Sequence, residues 1–390
     1  MAALAHRRRT GGVAVSVEKQ ALRETVTRFV RSEVADHLDD WERVGEVPRS
    51  LHLAAAKLGL LGVGFPESVG GAGGDYTDVV EMTEAFCSAG ASSGLLAALF
   101  TSGIAVPHIA SSGDAALVDR YVRPTLAGEM VGALAVTEPG GGSDVAALRT
   151  TARRDGEHYV VNGSKTFITS GDRADFVTTA VRTGESGQAG VSLLVVDKGA
   201  PGFTARRLDT MGWLCSDTAE LSFVDVRVPV SQVVGAEGSG FAALAQHFVG
   251  ERLGLAVHAY GIARRSLDLT VAYTRDRSTF GRPLLSRQAV RHQLVEMHRR
   301  IDVARVYVHD VARRYADGER PVLEACLAKN TAVDACDFVV DKAVQLHGGM
   351  GYQRGVEVER HYRDAKILGI GGGATEVLTD LSARLLGYTS

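Results

Sequence analysis

The sequence lacks several features that would assign it to a class at once. It has no uninterrupted apolar run of about 18 residues, so no transmembrane helix is predicted. Its net charge of -3 is close to balanced and gives no sign of a nucleic-acid-binding surface. It also contains neither the G-x-x-x-x-G-K-[ST] motif of nucleotide triphosphate sites nor the H-E-x-x-H motif of zinc sites. These absences favour chemistry on a small molecule.

Cysteine is scarce, and the four residues are widely separated, at Cys87, Cys215, Cys326 and Cys336. None forms a C-x-x-C pair, and no apolar signal segment follows the basic N-terminal stretch MAALAHRRRTGG. We therefore predict reduced, structural thiols in a cytoplasmic protein with a disordered basic start. An organelle transit peptide is the alternative for that start.

The residue pattern changes twice along the 390 residues and predicts three domains. Apolar residues recur at helical spacing over residues 16–130, valine- and threonine-rich runs fill residues 131–236, and helical spacing returns over residues 237–390. The expected fold class is α+β, with a β domain between two helical domains. Within the β domain, Asn162-Gly163 predicts a hairpin turn between HYVV and KTFIT.

Two charged residues, Glu251 and Arg252, interrupt the apolar face of the helix that is predicted to begin near Phe241. That face consists of Phe241, Leu244, Phe248, Leu255, Ala259 and Ile262. Glu251 could pair with an arginine elsewhere, or the helix could be rotated so that it is exposed. In an apolar pocket, desolvation would instead raise its pKa toward the range of a general base. The spacing alone leaves these alternatives open.

Three consecutive glycines, Gly371 to Gly373, precede the last predicted helix. Without Cβ atoms, this backbone can approach a ligand closely. The helix is expected to have Thr375 as its N-cap and to stop near Gly387. A glycine loop at a helix N-terminus suits a polar or anionic ligand, although a flexible turn would explain the same glycines.

Six motifs occur in an order that is similar to that of one enzyme family. They are FPESVGG at 65–71, AVTEPGGGSD at 135–144, NGSKTFITSG at 162–171, DRSTFGRPL at 276–284, QLHGGMGYQRG at 345–355 and RDAKILGIGGGATE at 363–376. Over nearly its whole length the chain closely resembles the acyl-CoA dehydrogenase flavoprotein family. The resemblance implies an N-terminal helical domain, a central β-barrel-like domain and a C-terminal four-helix bundle.

The resemblance also implies FAD as the cofactor. The implied FAD contacts are Val136, Thr137, Ser143, Phe167, Ile168, Thr169, Arg277, Thr279, Phe280, Gln288, Gln345, Gly348, Gly349, Ala374 and Glu376. The implied substrate contacts are Ser143, Arg252, Gly373 and Arg384. For Phe167, a position in the strand core is the alternative. Because Arg277, Thr279 and Gln288 match positions that bind the FAD of a neighbouring subunit, a homodimer or homotetramer is implied.

The family's usual catalytic base is missing from this chain. In many members a glutamate occupies the position that matches Gly372. A branch that resembles isovaleryl-CoA and long-chain acyl-CoA dehydrogenases places its glutamate on a helix, at the position of Glu251. The resemblance therefore implies Glu251 as the base, with Glu376 as a less favoured candidate. The backbone N–H of Gly372 would still bind the substrate carbonyl oxygen.

The implied activity is α,β-dehydrogenation of an acyl-CoA thioester to a trans-2-enoyl-CoA, with electrons passed to an electron-transferring flavoprotein. Three alternatives stay open. They are a dehydrogenase of a carrier-protein-bound acyl group, an oxygen-using flavin oxidase or monooxygenase, and a catalytically silent acyl-CoA- or flavin-binding scaffold. The acyl chain is not predicted, since a fold does not specify a substrate.

Overall fold

A computed structural model of the chain describes residues 17–388. The basic N-terminal stretch lies outside the described residues. Helices precede and follow a seven-stranded sheet, so the predicted α+β fold class is confirmed. Among residues 17–388, no helix combines the length and the apolar character needed to cross a membrane.

The first part of the chain is helical, with short π and 3-10 segments between the helices. The helices are α1 (Val17–Phe29), α2 (Leu38–Val44), α3 (Arg49–Lys57), α4 (Tyr76–Ala89), α5 (Ser93–Leu99), α6 (Ser102–Ala105), α7 (Pro107–Ala110), α8 (Ala115–Leu117) and α9 (Arg123–Leu126). At the start of α4, Asp75 and Asp78 form a capping box that satisfies two backbone N–H groups. One side of α4 packs against α1, and it also contacts the long helix of the C-terminal part.

The middle of the chain forms the sheet. The strands are β1 (Gly132–Ala135), β2 (Thr151–Asp155), β3 (His158–Thr169), β4 (Phe176–Arg182), β5 (Val191–Asp197), β6 (Phe203–Arg207) and β7 (Thr218–Pro229). Their order is β1-β4-β2-β3-β7-β6, with β5 paired to β4. β1 runs parallel to β4, whereas β3 and β7 form a long antiparallel pair. Nearly every residue of β4 and β5 is buried, including the two threonines in the middle of β4.

The predicted hairpin at Asn162-Gly163 is wrong, because β3 continues through both residues and pairs with β7 on either side of them. The register shifts between Val161 and Gly163, which marks a β-bulge. Gly163 has a φ of +147°, and a Cβ atom there would lie 2.6 Å from Oγ1 of Thr150. The glycine therefore permits a close contact between strands, and an isolated strand glycine often has this role.

The C-terminal part is helical again. Its elements are α10 (Gly240–Asp276), β8 (Ser278–Thr279), β9 (Arg282–Pro283), α11 (Gln288–Ala316), α12 (Val322–His347), α13 (Glu357–Leu368) and α14 (Thr375–Leu385). α10 has 37 residues and is therefore roughly 55 Å long at about 1.5 Å per residue. It packs against α11, α12 and α13, and against α4 from the first part of the chain.

α10 connects the sheet to the helical core. Near its start, Gly240 lies so close to β5 that a Cβ atom would be 2.6 Å from the Ser192 carbonyl carbon. Farther along, Ala256, Ala259 and Ala263 are 0% exposed among the neighbouring helices. Glu251 lies on α10 between these two regions.

The final helix begins one residue away from the expected position. Ala374, rather than Thr375, occupies the N-cap, and Thr375 is the first residue of α14. The Thr375 hydroxyl donates to the Gly369 carbonyl at 3.3 Å, so it bonds back to the preceding loop instead of capping the helix. The predicted stop agrees with the structure, since Gly387 follows the helix with a φ of +75°.

Candidate active site

Glu251 is half-buried on α10 and has no hydrogen-bond or ion-pair partner within residues 17–388. Burial raises the pKa of Glu251, and the nearby charges of Arg252 and Lys329 oppose this shift without cancelling it. Of the three sequence-based alternatives, the geometry matches the unpaired acid in apolar surroundings. A carboxylate with a raised pKa is suited to accept a proton.

Glu251 faces the glycine loop, which we define as residues 369–374. A Cβ atom at Gly372 would lie 3.5 Å from Oε1 of Glu251. It would also lie 2.5 Å from Cδ1 of Leu255, one turn further along α10. The φ angles of +62° at Gly372 and +96° at Gly373 favour glycine at both positions. An acid on the facing helix therefore lies beside the loop that has no side chain of its own at position 372.

Hydrogen bonds hold the glycine loop from two sides. The Gly371 N–H donates to the Ile367 carbonyl at 2.8 Å and so continues the end of α13. From α12, the fully buried Lys329 donates from Nζ to the carbonyls of Gly371 and Gly373, at 2.7 Å each. In the described part of the chain, the Gly372 N–H has no backbone carbonyl as partner. This N–H is therefore free to bind a ligand.

A shallow cleft lies beside Glu251, and its roughly 220 Å³ of empty volume includes open solvent. It is lined by Gly103, Ile104, His108, Leu134, Leu244, His247, Phe248 and Glu251. Burial, together with the neighbouring His247, lowers the pKa of His108 to about 3, so this ring is neutral at physiological pH. The lining is mostly apolar, and its polar groups are the two histidines and Glu251.

Arg252, next to Glu251, is only 9% exposed, and its Nε has no hydrogen-bond partner in the described part of the chain. Its guanidinium carbon lies 5.3 Å from the centre of the Phe248 ring. A buried guanidinium group with an unused donor is costly unless a ligand completes its contacts. Its predicted role as a substrate contact is consistent with this position.

The second and third motifs meet near the end of β1. The Thr166 N–H donates to the Thr137 carbonyl at 2.9 Å, and the buried Lys165 Nζ donates to the Val136 carbonyl at the same distance. These bonds hold Val136 and Thr137 beside β3. Ser143 lies farther along the loop and is exposed. The loop is thus anchored at its start and open at the predicted ligand contact.

Phe167 projects from β3 with a φ of +58° and is 66% exposed. The alternative position in the strand core is therefore wrong. Ile168 has the opposite environment, at 2% exposure, so its side chain belongs to the sheet core and only its backbone is available to a ligand. Thr169 is half-buried. An exposed aromatic ring at a strained backbone position is a suitable surface for a planar ligand.

The fourth and fifth motifs lie together at the far end of α10. Tyr273 stacks on His347 at 4.3 Å between ring centres, which joins the ends of α10 and α12. Phe280, at the tip of the β8–β9 hairpin, is 95% exposed. Arg277, Phe280, Gln288, Gln345, Gly348 and Gly349 are exposed in this region, and Thr279 is half-buried. Arg277 is 26 residues beyond Glu251, or roughly 39 Å along the helix, so the two clusters cannot bind the same flavin ring within one chain.

Two further predicted contacts lie on the exposed side of α14. Glu376 is exposed in its first turn and lacks the apolar surroundings of Glu251. Arg384 pairs with Asp380 one turn earlier, and its side chain is 67% exposed. Neither arrangement favours a role in proton removal, and their predicted contacts with cofactor and substrate stay predictions.

Comparisons with known proteins bear on this geometry. Models of the acyl-CoA dehydrogenase N-terminal, middle and C-terminal domains match residues 16–129, 133–226 and 238–387. The long-chain specific acyl-CoA dehydrogenase of Sus scrofa mitochondria is 36% identical over 374 residues, covering 95% of this chain and 86% of the relative. The chain belongs to the acyl-CoA dehydrogenase family. The predicted resemblance is confirmed.

Solved structures agree with this assignment of the chain to the acyl-CoA dehydrogenase family. A probable acyl-CoA dehydrogenase from Mycobacterium abscessus has a TM-score of 0.94 and 61% identity, covering 95% of this chain and 99% of the solved one. A glutaryl-CoA dehydrogenase from Mycobacterium smegmatis, solved in complex with FADH2, has a TM-score of 0.89 and 26% identity, covering 96% and 95%. The predicted cofactor of the family, FAD, is thereby confirmed.

The exposed residues of this chain fit FAD. The apolar ring of Phe167 and the neighbouring Thr137 suit a flavin ring with polar edges. At Gly348 and Gly349, no atom lies within 4 Å of where a Cβ atom would be, so the backbone there is open to a ligand. The exposed guanidinium group of Arg277 suits a pyrophosphate.

Sequence reasoning missed two residues that shape this site. Lys329 is the single charged residue in the stretch ACLAKNTAV, which is a detectable but weak signal for a buried cation. Leu255 was assigned only to the apolar face of α10, whereas it also fills the space where a side chain at position 372 would lie. No sequence signal identifies that contact.

Proposed function

We propose that the chain catalyses the α,β-dehydrogenation of an acyl-CoA thioester to a trans-2-enoyl-CoA, with Glu251 as the catalytic base. The single observation that carries the proposal is the position of Glu251, an unpaired acid with its Oε1 3.5 Å from the point where a Cβ atom at Gly372 would be. The acid thus reaches the same space as a glutamate at position 372 would, but from the opposite side.

In this mechanism Glu251 accepts the α-proton of the thioester. An α-proton is too weakly acidic to leave unaided, so the developing negative charge on the carbonyl oxygen must be stabilised at the same time. The free N–H of Gly372 is the proposed donor to that oxygen. FAD, when bound, supplies the acceptor for the hydride that leaves the β-carbon. The base and the oxyanion donor are then separate residues.

Arg252 and the apolar cleft are proposed to hold the rest of the substrate. The unused Nε donor of Arg252 would bind a polar group of the CoA part. The acyl chain would lie against apolar residues such as Leu255 and Phe248. Gly373 and Ser143 remain proposed substrate contacts.

The electron acceptor and the assembly are also proposals. We infer that an electron-transferring flavoprotein reoxidises the enzyme and that the chain forms at least a homodimer. The roughly 39 Å along α10 between Glu251 and Arg277 supports an assembly in which the exposed cluster of one subunit completes the FAD site of another. Rapid reaction of the reduced enzyme with oxygen would favour the oxidase or monooxygenase alternative.

Anaerobic addition of acyl-CoA substrates to the FAD-loaded protein tests the proposed function. Straight, branched and aromatic acyl-CoAs, each compared with a carrier-protein-bound counterpart, should be assayed for loss of the yellow flavin absorbance and for the enoyl product. Bleaching and enoyl-CoA formation with at least one CoA substrate are expected. Activity only with carrier-bound substrates, or binding of FAD without any bleaching, would contradict the proposal.

A further inference from the structure

Lys329 makes an unusual pair of contacts for a buried lysine. Its side chain is 0% exposed. Its Nζ donates to two carbonyls of the glycine loop, those of Gly371 and Gly373, at 2.7 Å each. Within residues 17–388 no carboxylate forms a direct ion pair with Lys329, although the charge of Glu251 acts on it. Burying an ammonium group without a carboxylate contact is costly, so its contacts with backbone oxygens require an explanation.

The contact with Gly371 determines where the Gly372 N–H points. The carbonyl of Gly371 and the N–H of Gly372 belong to the same planar peptide unit, and in a trans peptide they point in opposite directions. Because Lys329 holds that carbonyl on the α12 side, the N–H is directed away from α12. The second bond from Lys329 fixes the Gly373 carbonyl as well. It prevents the loop from rotating around Gly372.

Lys329 also affects the strength of this donor. A positive charge at a carbonyl oxygen draws electron density from the peptide and makes its N–H a stronger hydrogen-bond donor. The glycines at 371–373 have no side chains that could restrict the loop, and Gly372 and Gly373 have positive φ angles. An external contact is therefore needed to keep this backbone in one conformation.

We propose that Lys329 is a positioning residue that aims and polarises the Gly372 N–H toward the thioester carbonyl oxygen of the substrate. This inference rests on the proposed function and extends it, because it assigns the control of the oxyanion donor to a residue on a different helix. Lys329 itself does not touch the reacting atoms.

The charges around Lys329 are consistent with this role. Burial lowers the pKa of Lys329 to about 8, and the Glu251 carboxylate opposes that shift. The other charged or titratable groups that act on it are Arg252 from α10 and Cys326 from its own helix. Near neutral pH the amine is thus still mainly protonated and able to donate to both carbonyls.

The test compares Lys329→Met with Asn330→Ala. Methionine keeps the length and the apolar stem of lysine but removes both donors. Asn330 is the next residue of α12 and donates to the Thr375 carbonyl and the Thr379 hydroxyl, at 3.1 Å each, so its alanine variant loses contacts with α14 without losing those at Gly371 and Gly373. Both variants are prepared as the FAD-loaded full-length protein.

The first readout is the infrared C=O stretch of a bound trans-2-enoyl-CoA carrying ¹³C in the thioester carbonyl. Hydrogen bonding to the oxygen lowers this frequency. We expect a lowered frequency in the parent protein and in Asn330→Ala, and a return toward the free value in Lys329→Met. The second readout is the rate of anaerobic flavin bleaching, expected to fall roughly 10- to 100-fold in Lys329→Met. Loss of a whole oxyanion donor typically costs about 10²–10³, and the effect is smaller here because the Gly372 N–H remains but is no longer aimed.

The outcomes separate this inference from the proposed function. A parent protein that never bleaches with acyl-CoA would overturn the proposed function. A parent protein that bleaches, with an unchanged carbonyl frequency in Lys329→Met, would overturn only the role of Lys329. If the methionine variant does not fold, Lys329→Gln decides, because its amide can donate but carries no charge. An intermediate frequency supports the inference, and the parent frequency refutes it.

Discussion

Two glutamates lie on or against the long helix α10, and they differ in how their charge is satisfied. Glu84, on α4, accepts hydrogen bonds from the Tyr260 hydroxyl at 2.9 Å, the Arg305 Nε at 2.7 Å and the Arg23 Nη2 at 2.9 Å, and it contacts the His309 Nε2 at 2.7 Å. Glu251, on α10 itself, has none of these partners in the described part of the chain.

The two environments shift the pKa values of the two carboxyl groups in opposite directions. Burial alone would raise the pKa of Glu84, but the bonds from His309 and Arg305 outweigh it, and the pKa is lowered. At Glu251 burial prevails over the charges of Arg252 and Lys329, and the pKa is raised. The acid that holds helices together is thus surrounded by donors, whereas the acid proposed as the catalytic base is without them.

The largest expected effect is on catalysis by Glu251→Gln. Without the base, flavin bleaching by acyl-CoA should slow by roughly 10²- to 10⁴-fold, the usual contribution of a general base. Binding of FAD should persist, because no predicted FAD contact is changed. Stopped-flow absorbance under anaerobic conditions measures the rate, and Glu84→Gln is the comparison variant, expected to bleach at nearly the parent rate. Equal slowing in both variants would remove the distinction between the two acids.

Glu84→Gln should have the second largest effect, on stability. Removing one member of a buried ion cluster typically costs about 3–5 kcal/mol, and we expect roughly 2–4 kcal/mol here because Arg23 and Arg305 are partly exposed. Urea unfolding of the parent and the variant measures the change. Glu220→Gln is the control, since its pair with Arg206 lies on the surface and should contribute less than about 1 kcal/mol. A loss at Glu84 no larger than at Glu220 would show that the cluster does not stabilise the fold.

Moving the base to the loop should have a smaller effect. In the Glu251→Gln background, Gly372→Glu is obstructed by Leu255, whose Cδ1 would lie 2.5 Å from the new Cβ atom. We therefore expect the triple variant Glu251→Gln, Leu255→Ala, Gly372→Glu to bleach about tenfold faster than the double variant Glu251→Gln, Leu255→Ala. This is only part of the usual contribution of a base, because the positive φ at position 372 strains a glutamate. The same stopped-flow assay measures both. No recovery would argue that the loop cannot present a base in this chain.

The smallest expected effect is the pH dependence of stability, which should have opposite signs at the two sites. The lowered pKa of Glu84 stabilises the fold at pH values above the unfolded-state pKa of about 4.3, and that stabilisation is lost as the pH falls. The raised pKa of Glu251 destabilises the fold as the pH rises above the same value. Glu251→Gln should therefore gain Tm over the parent at pH 7 but not at pH 4. Glu84→Gln should lose Tm at both pH values, slightly less at pH 4, and its loss should shrink only as the pH falls further toward the lowered folded-state pKa of Glu84. Differential scanning fluorimetry measures both differences, and parallel pH trends would be inconsistent with opposite shifts.

The sequence predicted Glu251 because a charge on an apolar helix face is visible at helical spacing. It did not predict the cluster at Glu84, because the partners come from α1, α10 and α11, and Arg305 is 221 residues away in the chain. Lys329 was missed for the same reason, since its bonds reach a loop 42 and 44 residues further on. A local pattern records the environment of one helix face, whereas partners that are distant in sequence depend on the packing of whole helices.

The fold class was predictable because each part of the chain repeats its own apolar period. The errors arose where local signals compete with pairing. Asn162-Gly163 has the composition of a turn, yet pairing with β7 extends the strand through it and uses the glycine as a bulge. Thr375 has the composition of an N-cap, yet its hydroxyl bonds to Gly369 instead. In both cases a contact outside the local segment decided the conformation.

Removal of the α-proton by Glu251 can be measured without hydride transfer. An acyl-CoA analogue with sulfur in place of the β-carbon cannot transfer a hydride, but its α-protons can still exchange with solvent. In D₂O, mass spectrometry should detect deuterium at the α-carbon with the FAD-loaded parent protein and with Glu84→Gln, and exchange should fall to the uncatalysed rate with Glu251→Gln. Exchange at the parent rate in Glu251→Gln would contradict the assignment of Glu251 as the base.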